Sequence, residues 1–130
     1  MPTTGNAFIA TLKKTHLGWG THRKTNSRPK IKNEGYMPIP FKYAFGFQIT
    51  NLHHLQRSNI YKFSTSDKFY VNQELKASGN RKKGDVYAKN LHGKGDLKLL
   101  GAWYKHINAQ IGDKIKVEFV SPTEILLTKI

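Results

Sequence analysis

The sequence predicts a mainly β protein with two short helices, arranged as a partly open barrel of six to seven strands. Short segments that alternate apolar and polar residues recur along the chain, as is typical of strands in antiparallel sheets. A doubly wound sheet requires regular alternation of strands and helices, so the observed order favours an open barrel with helices at its ends. At 130 residues, the chain is most simply one domain spanning residues 1–130.

Alternation predicts six strands, mixed in direction but mostly antiparallel. In the first strand Phe8, Ala10 and Leu12 share one face, and in the fifth Ile115 and Val117 do the same. The predicted strands cover residues 6–12, 59–65, 68–75, 85–91, 114–120 and 124–129.

Two short helices complete the prediction. Pro40 suits the first turn of an aromatic helix over residues 41–45, which should end at Gly46. Asp96 offers an N-cap for the second helix. The apolar residues of this second helix follow the spacing i, i+3, i+4 and i+7: Leu100, Trp103, Tyr104 and Ile107.

The charge of the chain predicts a polyanionic partner. Lys and Arg number 22 against 8 Asp and Glu, so the formal net charge is +14 and the isoelectric point is near 10.1. Nucleic acid is the first candidate and an anionic membrane surface the second. The chain contains no cysteine, which excludes disulfides and thiol chemistry. We expect no signal peptide and no membrane span, and therefore a cytoplasmic, nucleoid-associated protein of bacterial type.

Two basic loops carry most of this charge. The first lies in LGWGTHRKTNSRPKIKNEGYMPIP, where no acidic residue precedes Glu34, and the second is KASGNRKKG. Lys and Arg neutralise phosphates, while Arg and Asn can also bind guanine and adenine edges. Most charge runs are merely solvated surface, but two such loops in a chain with so few acids favour nucleic acid. The candidate DNA-binding residues are His22, Arg23, Lys24, Asn26, Arg28, Lys30, Lys32, Asn33, Ser78, Asn80, Arg81, Lys82 and Lys83.

Within these loops we assign two roles. The residues expected at base edges are Arg28, Asn33, Asn80 and Arg81. The residues expected at phosphates are Lys24, Lys30, Lys32, Lys82 and Lys83. Trp19 either stacks on a base or anchors the first loop to the barrel, and Tyr36 is expected in the core.

An enzymatic alternative is a small metal-dependent nuclease. Asp67, Glu74 and Lys76 are similar to a signature in which two carboxylates hold a divalent ion and a lysine orients water. The motif is short, and motifs of this kind match many unrelated sequences. His53 and His54 lack a third ligand with suitable spacing. We therefore predict no metal site, no cofactor and no catalytic residue in this chain. RNA binding is a further alternative, although no aromatic-rich strand of the RNP type is evident.

The stretch from Leu17 to Pro40 resembles the opening of the C-terminal recognition domain of NgoFVII- and BfiI-type restriction endonucleases. The chain departs from that pattern at Gly18, at His22 and Arg23, and at Gly35. Farther on, GDVYAKN and LLGAWYKHINAQIGD are loosely similar to the same domains. The matching residues are Leu17, Trp19, Gly20, Arg28, Asn33, Glu34, Tyr36, Pro38, Ile39 and Pro40.

The resemblance implies a B3-like DNA-binding pseudobarrel, the fold of plant B3 transcription factors and of the EcoRII effector domain. Such domains grip the major groove of double-stranded DNA with two loops, an N-arm and a C-arm. Carried over, these arms correspond to residues 24–33 and 78–83. In that family the nuclease activity belongs to a separate domain, so the resemblance implies a recognition module for a nuclease domain or subunit.

Overall fold

The computed structural model describes residues 2–13, 16, 35–51, 59–79 and 85–130. The protein is mainly β, with two helices and a seven-stranded, barrel-like sheet, as the sequence predicts. The helices are α1, Phe41–Phe47, and α2, Leu99–His106. The strands are β1 (Ala7–Thr11), β2 (Met37–Pro38), β3 (Ile60–Thr65), β4 (Gln73–Ser78), β5 (Asn90–Gly93), β6 (Lys114–Ser121) and β7 (Glu124–Lys129).

The sheet closes almost completely on itself. Its strand order is β1-β6-β7-β3-β4-β5-β2, and the two edge strands, β1 and β2, approach each other. β3 and β7 are parallel, whereas the other strand pairs are antiparallel. This arrangement confirms the predicted mixed, mostly antiparallel barrel, and it leaves a seam between β1 and β2.

The core follows the alternation in the sequence. Phe8 and Ala10 of β1 and Ile115, Val117 and Phe119 of β6 point into one continuous hydrophobic cluster. Pairing of β1 with β6 brings these inward faces together. Burying the phenylalanine, isoleucine and valine side chains of this set contributes about 1.5–3 kcal/mol each. Alternation therefore predicted both strands correctly, because each has one face in the core and one in water.

The predicted strand over residues 68–75 is wrong for residues 68–72. Residues 66–72 form a turn, in which Lys68 and Asn72 have φ values of 64° and 53°. The turn is held by side chains that replace ladder hydrogen bonds: Asp67 Oδ1 accepts from the Phe69 amide, and Thr65 Oγ1 accepts from the Tyr70 amide. The strand β4 begins only at Gln73 and extends to Ser78.

Three other predicted boundaries shift. The helix α1 passes through Gly46 and ends at Phe47, and the C-cap residue Gln48 adopts a left-handed conformation with φ 57°. The helix α2 begins after Lys98, and Asp96 instead accepts a hydrogen bond from the Lys98 amide at 3.0 Å. The strand β5 spans only Asn90–Gly93, and the preceding residues 86–88 instead pair with residues 49–51 around an isolated bridge between Thr50 and Tyr87. Among the described helices, neither is long and apolar enough to cross a membrane.

Candidate nucleic-acid interface

Most of the predicted DNA-binding residues lie outside the described residues. Ser78 is the exception, and it belongs to a strand rather than to a loop. It is the last residue of β4, it pairs with Asn90, and its carbonyl oxygen accepts a hydrogen bond from the Lys89 amide at 2.9 Å. Trp19 and the histidines His53 and His54 are also outside the described ranges. So are His22, Arg23, Lys24, Asn26, Arg28, Lys30, Lys32, Asn33, Asn80, Arg81, Lys82 and Lys83.

The described ends of the first basic loop meet at the barrel. The Tyr36 amide donates a hydrogen bond to the carbonyl oxygen of His16 at 3.2 Å, and the Gly35 amide donates to Leu97 at 3.0 Å. Gly35 packs so closely on α2 that a Cβ atom there would overlap the backbone of Gly101. Only glycine allows this approach, so the chain returning from the first loop is fixed directly on α2.

Tyr36 lies in the core, as predicted, and is buried beside α2. The Tyr104 hydroxyl donates a 2.6 Å hydrogen bond to the Tyr36 carbonyl oxygen, and complete burial raises the pKa of Tyr104 well above its ordinary value. The Tyr36 ring also contacts His92 edge-on, with 5.6 Å between the ring centroids. The root of the first loop is therefore tied to both α2 and β5.

Asn51 holds the two ends of the second basic loop together. Its side-chain amide nitrogen donates to the carbonyl oxygens of Gly79 and Asp85, each at 2.9 Å. Gly79 has a φ of +81°, a conformation that glycine adopts without a Cβ penalty. Nothing in the local sequence distinguishes Asn51, because its two acceptors lie far from it along the chain.

A groove follows the seam between β1 and β2. It encloses about 520 Å³, which is within the range of small-molecule sites in proteins. The end of β1 and the residues after it form one wall, and β2 with the starts of α1 and β5 forms the other. We call this the seam groove. Its lining residues are Ile9, Thr11, Lys13, His16, Pro38, Ile39, Pro40, Phe41, Lys89 and Asn90.

The seam groove lies between the roots of the two basic loops. His16, which precedes the first loop, lines the groove. Lys89 and Asn90 line it from the other side, and both contact Ser78. Ser78 lies two residues before Asn80, where the part of the second loop outside the described residues begins. Sequence reasoning did not select the groove residues, because β1, β2 and β5 become neighbours only in the folded barrel.

The electrostatics of the seam groove favour an anion. Its described lining contains Lys13 and Lys89 but no acidic residue, and neither lysine forms an ion pair within the described part of the chain. Burial and then the charges of these two lysines lower the pKa of His16 to about 4. Both cations therefore act on one point of the groove, where no carboxylate of the described lining offsets them.

His16 is neutral at physiological pH and has a defined tautomer. The Lys13 amide donates a 3.0 Å hydrogen bond to His16 Nδ1, so this ring nitrogen must be an acceptor. A neutral imidazole carries one proton, which is then on Nε2. The ring thus supplies an uncharged N–H donor in a groove that already holds two cations.

Aromatic side chains extend from the groove across α1. Phe41 lines the groove and is 48% exposed, and Phe45, one turn later, is 53% exposed. Their ring centroids are 6.1 Å apart, and both rings contact Tyr87, at 6.0 Å and 5.2 Å. Exposed aromatic rings beside cations are typical of surfaces on which nucleic-acid bases stack.

The residues of the nuclease alternative have structural partners. Asp67 Oδ2 accepts from the Trp103 indole at 3.0 Å, and hydrogen bonds from Thr65, Phe69 and Trp103 lower its pKa against an opposing effect of desolvation. Glu74 lies 3.8 Å from Lys94. Lys76 shares the outward face of β4 with Glu74, since Leu75 between them is buried. Across the described ranges, no group of three His, Cys, Asp or Glu is arranged to hold a metal ion.

Comparison of the sequence with models of protein families gives no match, and comparison with curated proteins gives none either.

Proposed function

We propose that this chain is a B3-like domain that recognises a specific sequence in double-stranded DNA. In this proposal, two basic arms enter the major groove, and the domain serves as the target-recognition module of a restriction-endonuclease-like system. A separate nuclease domain or subunit supplies cleavage, and the protein works on the nucleoid in the cytoplasm. The resemblance over residues 17–40 is the source of the family assignment.

One observation carries the proposal: a single groove, with no acidic residue in its described lining, lies beside the roots of both basic loops. His16 at the root of the first loop lines it, and so do Lys89 and Asn90, which contact Ser78 beside the second loop. Two loops rooted around one groove can act on the same stretch of a ligand. The net charge of +14 supplies the long-range attraction that brings a polyanion to this surface. The barrel supplies the rigid support on which binding loops are usually carried.

Different residues of the two arms supply affinity and specificity. Lysine contacts to phosphates release counterions and bind any sequence, whereas arginine and asparagine at base edges discriminate between sequences. Arg28 and Asn33 of the first arm and Asn80 and Arg81 of the second are the proposed readers. The neighbouring lysines supply the part of the affinity that depends on salt.

Selection of bound duplexes from a random library at near-physiological salt tests this function. We expect an enriched motif of a few base pairs, bound more tightly than unrelated duplex by at least ~10³-fold. Equal binding of all duplexes, with steep salt dependence, would leave only a generic polyanion binder. Competition with duplex and single-stranded RNA distinguishes DNA recognition from RNA recognition.

A cleavage assay separates this proposal from the nuclease alternative. Plasmid DNA incubated with the protein and magnesium should remain intact. Cleavage that is abolished by Glu74→Ala would show that this chain is a nuclease rather than a recognition module. A matched control is Glu124→Ala, because Glu124 is exposed and lies outside the proposed nuclease motif.

A further inference from the structure

We propose that the seam groove binds one unstacked nucleotide, with its base against Phe41 and its phosphate between Lys13 and Lys89. This inference rests on the proposed function, since it adds a second mode of nucleic-acid contact between the roots of the two arms. The described lining of the groove comes from β1, β2, α1 and β5 and from the segments that flank them, including His16 at the root of the first arm.

The size of the groove suits such a ligand. A volume of about 520 Å³ exceeds what a phosphate group alone would fill, and ligand sites in proteins begin at roughly 300 Å³. A duplex would not fit into the groove, because the major groove of DNA is by itself wide enough to admit an α-helix, and the whole duplex is larger still. A single nucleotide extruded from the stack is a unit of the right dimensions.

The groove offers an apolar surface for a base. Phe41 is 48% exposed and Ile9 is 40% exposed, and Pro38 and Pro40 line the same wall as Phe41. A site that held only phosphate would gain nothing from this surface. Stacking on an aromatic ring is the usual way in which proteins hold unpaired bases.

Polar groups are available for the rest of the nucleotide. Lys13 and Lys89 make no ion pair within the described residues, so both ammonium groups can meet a phosphate. The Asn90 side-chain amide makes no hydrogen bond there either, and an amide is suited to the edge of a base. The N–H of neutral His16 adds a donor that suits either a phosphate or a base.

The direct test is a titration of isotope-labelled protein with deoxynucleoside monophosphates, and separately with inorganic phosphate, followed by the amide signals of Thr11, Lys89 and Asn90. We expect saturable shifts with nucleotide and weaker binding of phosphate. Phe41→Leu should weaken nucleotide binding about tenfold and leave phosphate binding unchanged, since stacking on the ring is lost. Absence of nucleotide-dependent shifts, or equal binding of nucleotide and phosphate, would overturn the inference.

Phe45→Leu is the matched control, because Phe45 lies on the same helix and contacts the same Tyr87 ring but does not line the groove. It should leave nucleotide binding unchanged. An equal loss in both variants would assign the effect to disruption of α1 and sink the proposal. Thermal unfolding of both variants checks that each is folded.

A second measurement uses duplex DNA, the ligand of the proposed function. Duplexes that carry 2-aminopurine at successive positions should show increased fluorescence at one position on binding, because the base leaves the stack. Phe41→Leu should reduce this increase, and Phe45→Leu should not. If duplexes bind with sequence preference while every position remains quenched, the groove inference fails and the proposed function stands. If nucleotides bind the groove while duplexes bind without sequence preference, the groove inference stands and the proposed function fails.

Discussion

The hydroxyl of Tyr104 donates a hydrogen bond of 2.6 Å to the carbonyl oxygen of Tyr36. Both residues are buried, and the bond joins α2 to the segment in which the first basic loop returns to the barrel. A recognition loop must be held at its roots if its side chains are to act in a fixed register. Under the proposed function, the stability of this root and the affinity for nucleic acid are therefore linked.

Tyr104→Phe should reduce the free energy of unfolding by about 1 kcal/mol, since it removes the hydroxyl and preserves the ring. Urea denaturation at neutral pH measures the change. Tyr43→Phe is the control: the Tyr43 hydroxyl makes no hydrogen bond within the described part of the chain, and its ring is only partly buried. Equal stability of the Tyr104→Phe variant and the unmodified protein would argue against the hydrogen bond as an anchor.

Gly35→Ala should destabilise the protein by about 1–3 kcal/mol, because the new methyl group would overlap the backbone of Gly101. Gly46→Ala tests the opposite case. Apart from the chain neighbours and the backbone of α1, no described atom lies within 4 Å of a Cβ built at Gly46, and the residue is inside α1. Alanine there should be neutral or stabilising by about 0.5–1 kcal/mol. A Gly35→Ala protein as stable as Gly46→Ala would show that α2 can move away from the loop root.

Asn51→Ala removes both hydrogen bonds that hold Gly79 and Asp85 together. We expect a loss of stability of about 1–3 kcal/mol and faster hydrogen exchange at the Tyr87 amide, which donates to the Asp85 carboxylate. DNA affinity should fall, but its salt dependence should not, because Asn51 neutralises no phosphate. Lys83→Ala, by contrast, should lower the slope of log affinity against log salt by about 1. A reduced slope in Asn51→Ala would contradict a purely structural role.

The pH dependence of stability should report His16. Its pKa in the folded protein is about 4, against 6.5 for the ordinary group. The folded state therefore favours the neutral ring, and this contribution is complete above the unfolded pKa and lost as pH falls from about 6.5 towards 4. Urea midpoints measured across this range should decline, and the decline should be smaller in His16→Gln, which cannot titrate. An imidazole titration midpoint near 6.5 in the folded protein would refute the assignment.

Arg28→Ala should weaken binding to the selected duplex by about 1–3 kcal/mol and relax preference at one base position. Lys30→Ala should instead weaken all duplexes to a similar extent and lower the salt slope by about 1. Binding to a panel of single-base variants at two salt concentrations separates these patterns. If Arg28→Ala weakens every duplex equally, Arg28 contacts phosphate rather than a base.

Local patterns in the sequence were enough for much of the fold. β1, β3, β6 and β7 agree with the predicted segments to within about two residues, since each has one face in the core and alternation reports that directly. The failure at residues 68–72 has an equally physical cause. Phe69 alternates as if in a strand, but it stacks on His106 of α2, with ring centroids 4.3 Å apart, while Asp67 and Thr65 bond to the backbone of the turn.

The sequence by itself determined the mainly β class, the spacing of the inward residues and the excess of positive charge, because these properties depend on residue types and their local period. Only the tertiary structure decided that Lys13 and Lys89 share one groove, that Asn51 joins the ends of a distant loop, and that Gly35 meets Gly101. Each of these contacts joins residues that are far apart in the chain. Alternation shows which face of a strand is buried, but the partner on that face is set only when the sheet closes.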